Sequence, residues 1–148
     1  MPNLFPVFDA PDIVDTSPAA QVPTYGTSWL FDFEKGDFVT DGSGHVVTCD
    51  GYQAWAQWCA KAVLTERFRY LAYSSNYGVE MDAALQHPDP KAVQSDVERT
   101  ITEALLVDPR TESVQNFTFS RSGDGQAVAF EAVPTVGTPK RVEVTLNG

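Results

Sequence analysis

Two cysteines in 148 residues, Cys49 and Cys59, are too few for a disulfide framework. They leave two states open, a single bridge or two buried thiols, and a reducing compartment favours the thiols. Basic residues are scarce as well. Ten stand against twenty acidic ones, for a formal net charge of −10 and a pI near 4.4. Nucleic-acid binding works through a cationic footprint that displaces counterions, so a nucleic-acid partner is not expected. The same sign disfavours an anionic membrane surface. No apolar run approaches the ~20 residues of a membrane span. The opening Met1-Pro2-Asn3-Leu4-Phe5-Pro6 has neither a basic nor a continuous hydrophobic region, so no signal peptide is expected. The two histidines, His45 and His87, match no zinc spacing with the cysteines. No Walker lysine loop, dinucleotide glycine fingerprint or nucleophile-elbow serine is present, and no metal or cofactor is expected.

What the chain does have is hydrophobic material. Apolar residues make up 43% and aromatics 11%, which suits one folded domain able to bury roughly two-thirds of its unfolded surface. Residues 1–27 differ from the rest. Prolines 2, 6, 11, 18 and 23 recur too often for a helix or ladder strand to run through. Phe5, Phe8 and Ile13, among other apolar residues, point to an extended arm that packs on its own domain or on a partner, with a mobile terminus as the alternative. Residues 28–148 are expected to form a single α+β domain.

Periodicity orders that domain. Trp29, Phe31 and Phe33 alternate as a strand, turns follow at 34–37 and 41–44, and His45–Thr48 is a short strand candidate. Asp50 is a candidate N-cap for a helix whose face carries Tyr52, Trp55, Cys59 and Ala62 or Val63, widened by Trp58. Phe68, Tyr70 and Ala72 switch to period two, which predicts a strand closed by 74–78. Asp89 with Pro90 begins a second helix with the stripe Val93, Val97, Ile101, Ala104 and Leu105, and Asp108-Pro109 stops it. Phe117 and Phe119, then Val128 and Phe130, pattern two strands around a turn at 122–125. A turn at 137–139 precedes a third strand, with Val142, Val144 and Leu146 inward. The fold class is therefore α+β: two main helices on a mostly antiparallel sheet.

Chemistry is sparse. Glu66, Glu80 and Asp82 are acids set among aromatics, and two carboxylates in unlike environments are what a glycosidase uses. Their bland reading is pairing of Glu66 with Arg67 or Arg69 and a solvated loop for the rest. A binding role has the better motive. The strand Lys140, Arg141, Val142, Glu143, Val144, Thr145, Leu146 would, at a sheet edge, offer unpaired backbone groups to a partner strand.

Several segments together resemble the small baseplate wedge proteins of contractile phage tails and related injection machines, in the XkdS-like branch. These are the aromatic strand 29–33, the helix over 51–64 with Ala54, Gln57 and Trp58, and the runs Leu64-Thr65-Glu66-Arg67 and Tyr73–Glu80. The last is Glu103–Arg110, and the match spans about residues 29–146. The resemblance implies a non-enzymatic sheath initiator. It would sit in the tail baseplate of the virion after a host-cytoplasm assembly stage, in multiple copies, six around the tube. Its implied partners are the sheath protein, the tail tube or hub protein and other wedge proteins, and its sheet would template the first sheath ring by strand addition. The family's Glu-Pro-Arg signature, implied to hold the wedge together, reads Asp108-Pro109-Arg110 here, one methylene shorter. Some relatives carry a lysozyme label, so a peptidoglycan-cleaving tail enzyme is the alternative.

Overall fold

A computed structural model describes residues 26–123 and 125–146. Phe5, Phe8 and Ile13, and with them the expected arm, lie outside the described residues. The first elements are short strand pieces. β1 (Ser28–Trp29) pairs with β4 (Thr48–Cys49), and β2 (Phe31–Asp32) pairs with β3 (Asp37–Phe38), both antiparallel. Leu30 interrupts the first run, and α1 (Gly51–Leu64) bridges the gap with one side chain. Gln57 Oε1 accepts from Phe31 N at 2.8 Å while its Nε2 donates to the Trp29 carbonyl at 2.6 Å. Two backbone groups without ladder partners are thereby satisfied.

Asp50 occupies the N-cap of α1, as expected, though its side chain makes no capping bond. Asp89 does cap. Its carboxylate accepts from Lys91 N at 3.1 Å, with Pro90 at the first position of α3 (Pro90–Leu106). Val97, Ile101, Ala104 and Leu105 are buried along one stripe of α3, as the period predicts.

The strand expected over 68–73 is not there. After α1 the chain is extended only over 65–67, where Val79 pairs with it in parallel: Val79 N donates to the Thr65 carbonyl at 2.9 Å and Arg67 N to the Val79 carbonyl at 2.8 Å. The backbone then turns sharply at Phe68, whose φ is +66°, and Tyr73 N bonds back to the Tyr70 carbonyl. Alternating aromatics need a sheet to lie in, and none runs beside this segment. Phe68, Tyr70 and Leu71 stay exposed as a result. A short helix, α2 (Met81–Leu85), takes part of the expected loop.

β5 (Thr111–Ser122), β6 (Gly125–Pro134) and β7 (Lys140–Leu146) form an antiparallel sheet in the order β5-β6-β7. The register Val128↔Val144 and Phe130↔Val142 puts the inward residues of β6 and β7 on one face. That face packs on α1 and α3 in a single core around Trp55, Cys59, Ile101, Leu105 and Phe130. Trp55 Nε1 donates to Thr111 Oγ1 at 3.0 Å, satisfying the one polar atom of the largest buried side chain. Both cysteines are buried and unbridged, and burial pushes the Cys59 thiol up to about 12, so it holds no thiolate at neutral pH. The architecture is α+β, with helices on one face of an antiparallel sheet.

Among the described residues one buried side-chain polar atom is unsatisfied. The Tyr77 hydroxyl makes no hydrogen bond of full geometry; burial pushes its pKa up to about 12 although the nearby Thr65 hydroxyl works the other way, and Thr65 Oγ1 donates its own proton to the Lys61 carbonyl at 2.8 Å. Removing a desolvated hydroxyl removes its penalty while leaving the ring. Tyr77→Phe is expected to hold or raise stability, by up to about 1 kcal/mol, in urea unfolding. A loss larger than that would mean the hydroxyl is bonded.

Candidate functional site

The sheet has two edges, and they differ. β5 is kinked by register irregularities at 111/113 and 115/118, with Asn116 at φ +57° in the second and its Nδ2 donating to Glu131 at 2.7 Å. β7 is regular, paired with β6 at every position from Lys140 to Leu146, and among the described residues no strand lies on its other side. Val142 and Val144 are 7% exposed and Leu146 3%, while Lys140, Arg141, Glu143 and Thr145 face solvent.

Counting along the ladder gives the direction of the backbone groups. The β5–β6 hairpin closes at Ser122↔Gly125 with two residues between, a turn whose ends are hydrogen-bonded. On β6 the residues 125, 127 and 129 therefore bond toward β5, and 126, 128 and 130 bond toward β7. Their partners Leu146, Val144 and Val142 spend their backbone groups on β6. Arg141, Glu143 and Thr145 turn N–H and C=O to the open edge.

A groove of about 750 Å³ runs beside the last three residues of that strand. Val63 and Leu64, at the end of α1, and Val79 supply its apolar lining, Tyr70 and Tyr73 an aromatic wall, and Glu66, Asp82 and Arg69 its charges. The wall is firmly anchored. Arg67 Nε donates to the Gly78 carbonyl at 3.1 Å and its Nη1 lies 3.5 Å from the Glu80 carboxylate. Lys61 Nζ sits 5.2 Å above the Tyr73 ring, and ring contacts run from Tyr70 through Tyr73 and Tyr77 to Trp58.

The three acids do separate things. Glu80 pairs with Arg67. Glu66 accepts from the Met81 and Asp82 amides at 3.1 and 3.4 Å, and desolvation, reinforced by Asp82, raises its pKa. Asp82 is exposed. The expected alternatives for Glu66, Arg67 or Arg69, are not its hydrogen-bond partners; the first turn of α2 is. Among the described residues no cluster of three or more His, Cys, Asp or Glu is arranged to hold a metal. His45 and His87 lie on the surface, far apart in sequence, with His45 Nδ1 3.8 Å from Asp41.

Asp108-Pro109-Arg110 forms the corner between α3 and β5. Arg110 Nε donates to both Asp108 oxygens at 2.9 and 3.0 Å, and Nη2 completes the fork. The guanidinium lies 5.7 Å from the Trp58 ring centre, and the Arg110 carbonyl accepts from Thr135 N at 2.9 Å. The shorter carboxylate still reaches, because its partner is two residues away. Leu106 and Val107 beside this corner are about half exposed.

The strand expected over 140–146 is present with those bounds. The groove, which joins residues 63–82 to 144–146, was not anticipated, and Gln57, named only among the residues of the family resemblance, was not expected to clasp the first strands.

Comparison with known proteins identifies the family. Residues 27–137 match the family described as contractile injection system sheath initiator. The chain is 30% identical over 132 residues to the phage-like element PBSX protein XkdS of Bacillus subtilis strain 168, covering 88% of this chain and 89% of that one. A solved structure, the six-fold symmetrised cryo-EM structure of the anti-feeding prophage baseplate, contains a chain of the same fold. It superposes with a TM-score of 0.51 at 15% identity, over 83% of this chain and 87% of that one. The chain belongs to the contractile injection system sheath initiator family.

Proposed function

We propose that this structural baseplate protein starts the sheath by offering β7 to a strand of the first sheath ring. The observation that carries the reading is the regular, unbulged β7 edge, with three residues turning backbone groups outward and an open groove beside them. Proteins that have no use for such an edge usually blunt it. Strand addition needs little side-chain identity, so one template can bear load through backbone bonds while its partner varies. The partners are the sheath protein first, then the tube or hub and neighbouring wedge proteins, with six copies around the tube. The corner at Asp108, Pro109 and Arg110, with exposed Leu106 and Val107, is the surface proposed for a wedge neighbour. Trp29, Phe33 and Phe38 are exposed aromatics near the start of the domain, and the arm through Phe5, Phe8 and Ile13 is the second proposed wedge contact.

The test is co-expression of the full chain with the sheath protein of its own gene cluster, followed by sizing and electron microscopy. Ordered sheath nucleating on this chain is the expected result. Sheath that ignores the chain would end the template reading. A variant lacking residues 1–24 that still joins the baseplate would remove the arm from the proposal.

A further inference from the structure

A strand laid along β7 alternates its side chains between two environments. Positions that face the way Val144 and Leu146 face would lie toward the groove, whose lining includes Val63, Leu64, Val79 and Tyr70. Positions that face the way Glu143 and Thr145 face remain in water. The groove also carries charge. Glu66 and Asp82 both line it, neither within ion-pair distance of a cation among the described residues, and Arg69, the one cation of the lining, acts on Glu66 from farther off.

We propose that the groove selects its guest: a β-strand with aliphatic or aromatic residues at the inward positions and one lysine or arginine at the inward position that meets Glu66. The inference rests on the reading of β7 as the docking edge and names the partner strand's chemistry. Two acids against one base leave the lining net negative, so an inward cation is attracted and an inward carboxylate repelled. Burial already holds Glu66 above its ordinary pKa, and an arriving cation relieves that penalty. The chain's own N-terminal segment is a poor candidate for this guest. Residues 1–25 contain Asp9, Asp12 and Asp15 and no lysine or arginine, and their prolines cannot donate along a ladder.

The probes are short synthetic peptides of alternating valine and threonine that carry lysine, valine or glutamate at one central inward position. They are titrated into the full chain by calorimetry, with hydrogen exchange read at the Arg141, Glu143 and Thr145 amides. The lysine peptide is expected to bind about tenfold more tightly than the valine peptide, and the glutamate peptide more weakly than either. All bound peptides should protect those three amides. The lysine preference should vanish in Glu66→Gln, which keeps the acceptor for the Met81 amide, and should fade as pH falls through the Glu66 titration. Equal binding of all three peptides, with the amides protected, would overturn the selectivity while leaving β7 docking intact. Lysine binding without amide protection would overturn both. Binding that appears only after residues 1–24 are removed would make the chain's own arm the occupant and overturn the proposal.

Discussion

Proline at Thr145, or at Glu143, is expected to abolish sheath nucleation in co-expression while the domain stays folded. Both residues are exposed, and both turn their N–H toward the open edge, so the substitution removes no bond to β6. It does remove a donor that a guest strand requires, and the proline ring crowds the space the guest backbone would occupy. The residue before each proline, Val144 or Val142, is already extended, which is the conformation proline favours there. Stability should change by about 1 kcal/mol or less in urea unfolding, against an all-or-none loss of assembly. Val144→Pro is the contrasting variant. Its N–H bonds to β6 and its side chain is core, so about 3 kcal/mol or more should be lost and the fold compromised. Equal effects at 144 and 145 would show that the ladder is phased the other way. Nucleation that survives both edge prolines would end the strand-template reading. Truncation before Lys140 is no substitute, because it also removes Val142, Val144 and Leu146 from the core.

Why β7 was legible in the sequence and the groove was not follows from the range of the interactions. Val142, Val144 and Leu146 alternate because the pleat repeats every two residues, and the stripe on α3 repeats for the same kind of local reason. Asp89-Pro90 is equally local: one carboxylate reaching an amide two residues on. The pattern Phe68-Tyr70-Ala72 obeys the same period and failed, since period two says nothing about whether a partner strand is available. The partner of this region is Val79, and it pairs with 65–67 instead. Whether β7 is central or at an edge depends on what else joins the sheet, which no local pattern encodes. The groove needs the end of α1, the 65–82 loop and β7 together, elements far apart in the chain. Asp108 to Arg110 was half legible. An arginine beside a carboxylate can form a bidentate pair, but that the partner is Asp108 itself depends on the turn that the proline makes.

That non-local assembly hinges on Gly78, and Gly78→Ala is expected to be among the most damaging single-methyl changes in the chain. The φ of Gly78 is +96°, outside the range that side-chain-bearing residues adopt readily. A Cβ there would stand 2.6 Å from the Thr65 carbonyl oxygen and 3.2 Å from Arg67 N. Both atoms belong to the 65–67 backbone that pairs with Val79, so neither can move without breaking the Val79 N to Thr65 bond or the Arg67 N to Val79 bond. The Arg67 side chain is tied in as well, through its bond to the Gly78 carbonyl. Strain and lost bonds together should lower stability by about 3 kcal/mol or more, or roughly 6–12 °C in Tm. Gly44→Ala separates the two causes. Gly44 has φ +83° and open space within 4 Å of where a methyl would stand, so only the backbone penalty of about 1 kcal/mol applies. The difference between the two variants is the clash and the backbone bonds it breaks. The wall of the groove should fail with the hinge: Gly78→Ala, assayed well below its own Tm, is expected to lose the lysine-peptide preference that Gly44→Ala keeps. Matching Tm values for the two variants would mean that the 65–67 segment yields freely, and Gly78 would then be only a turn residue.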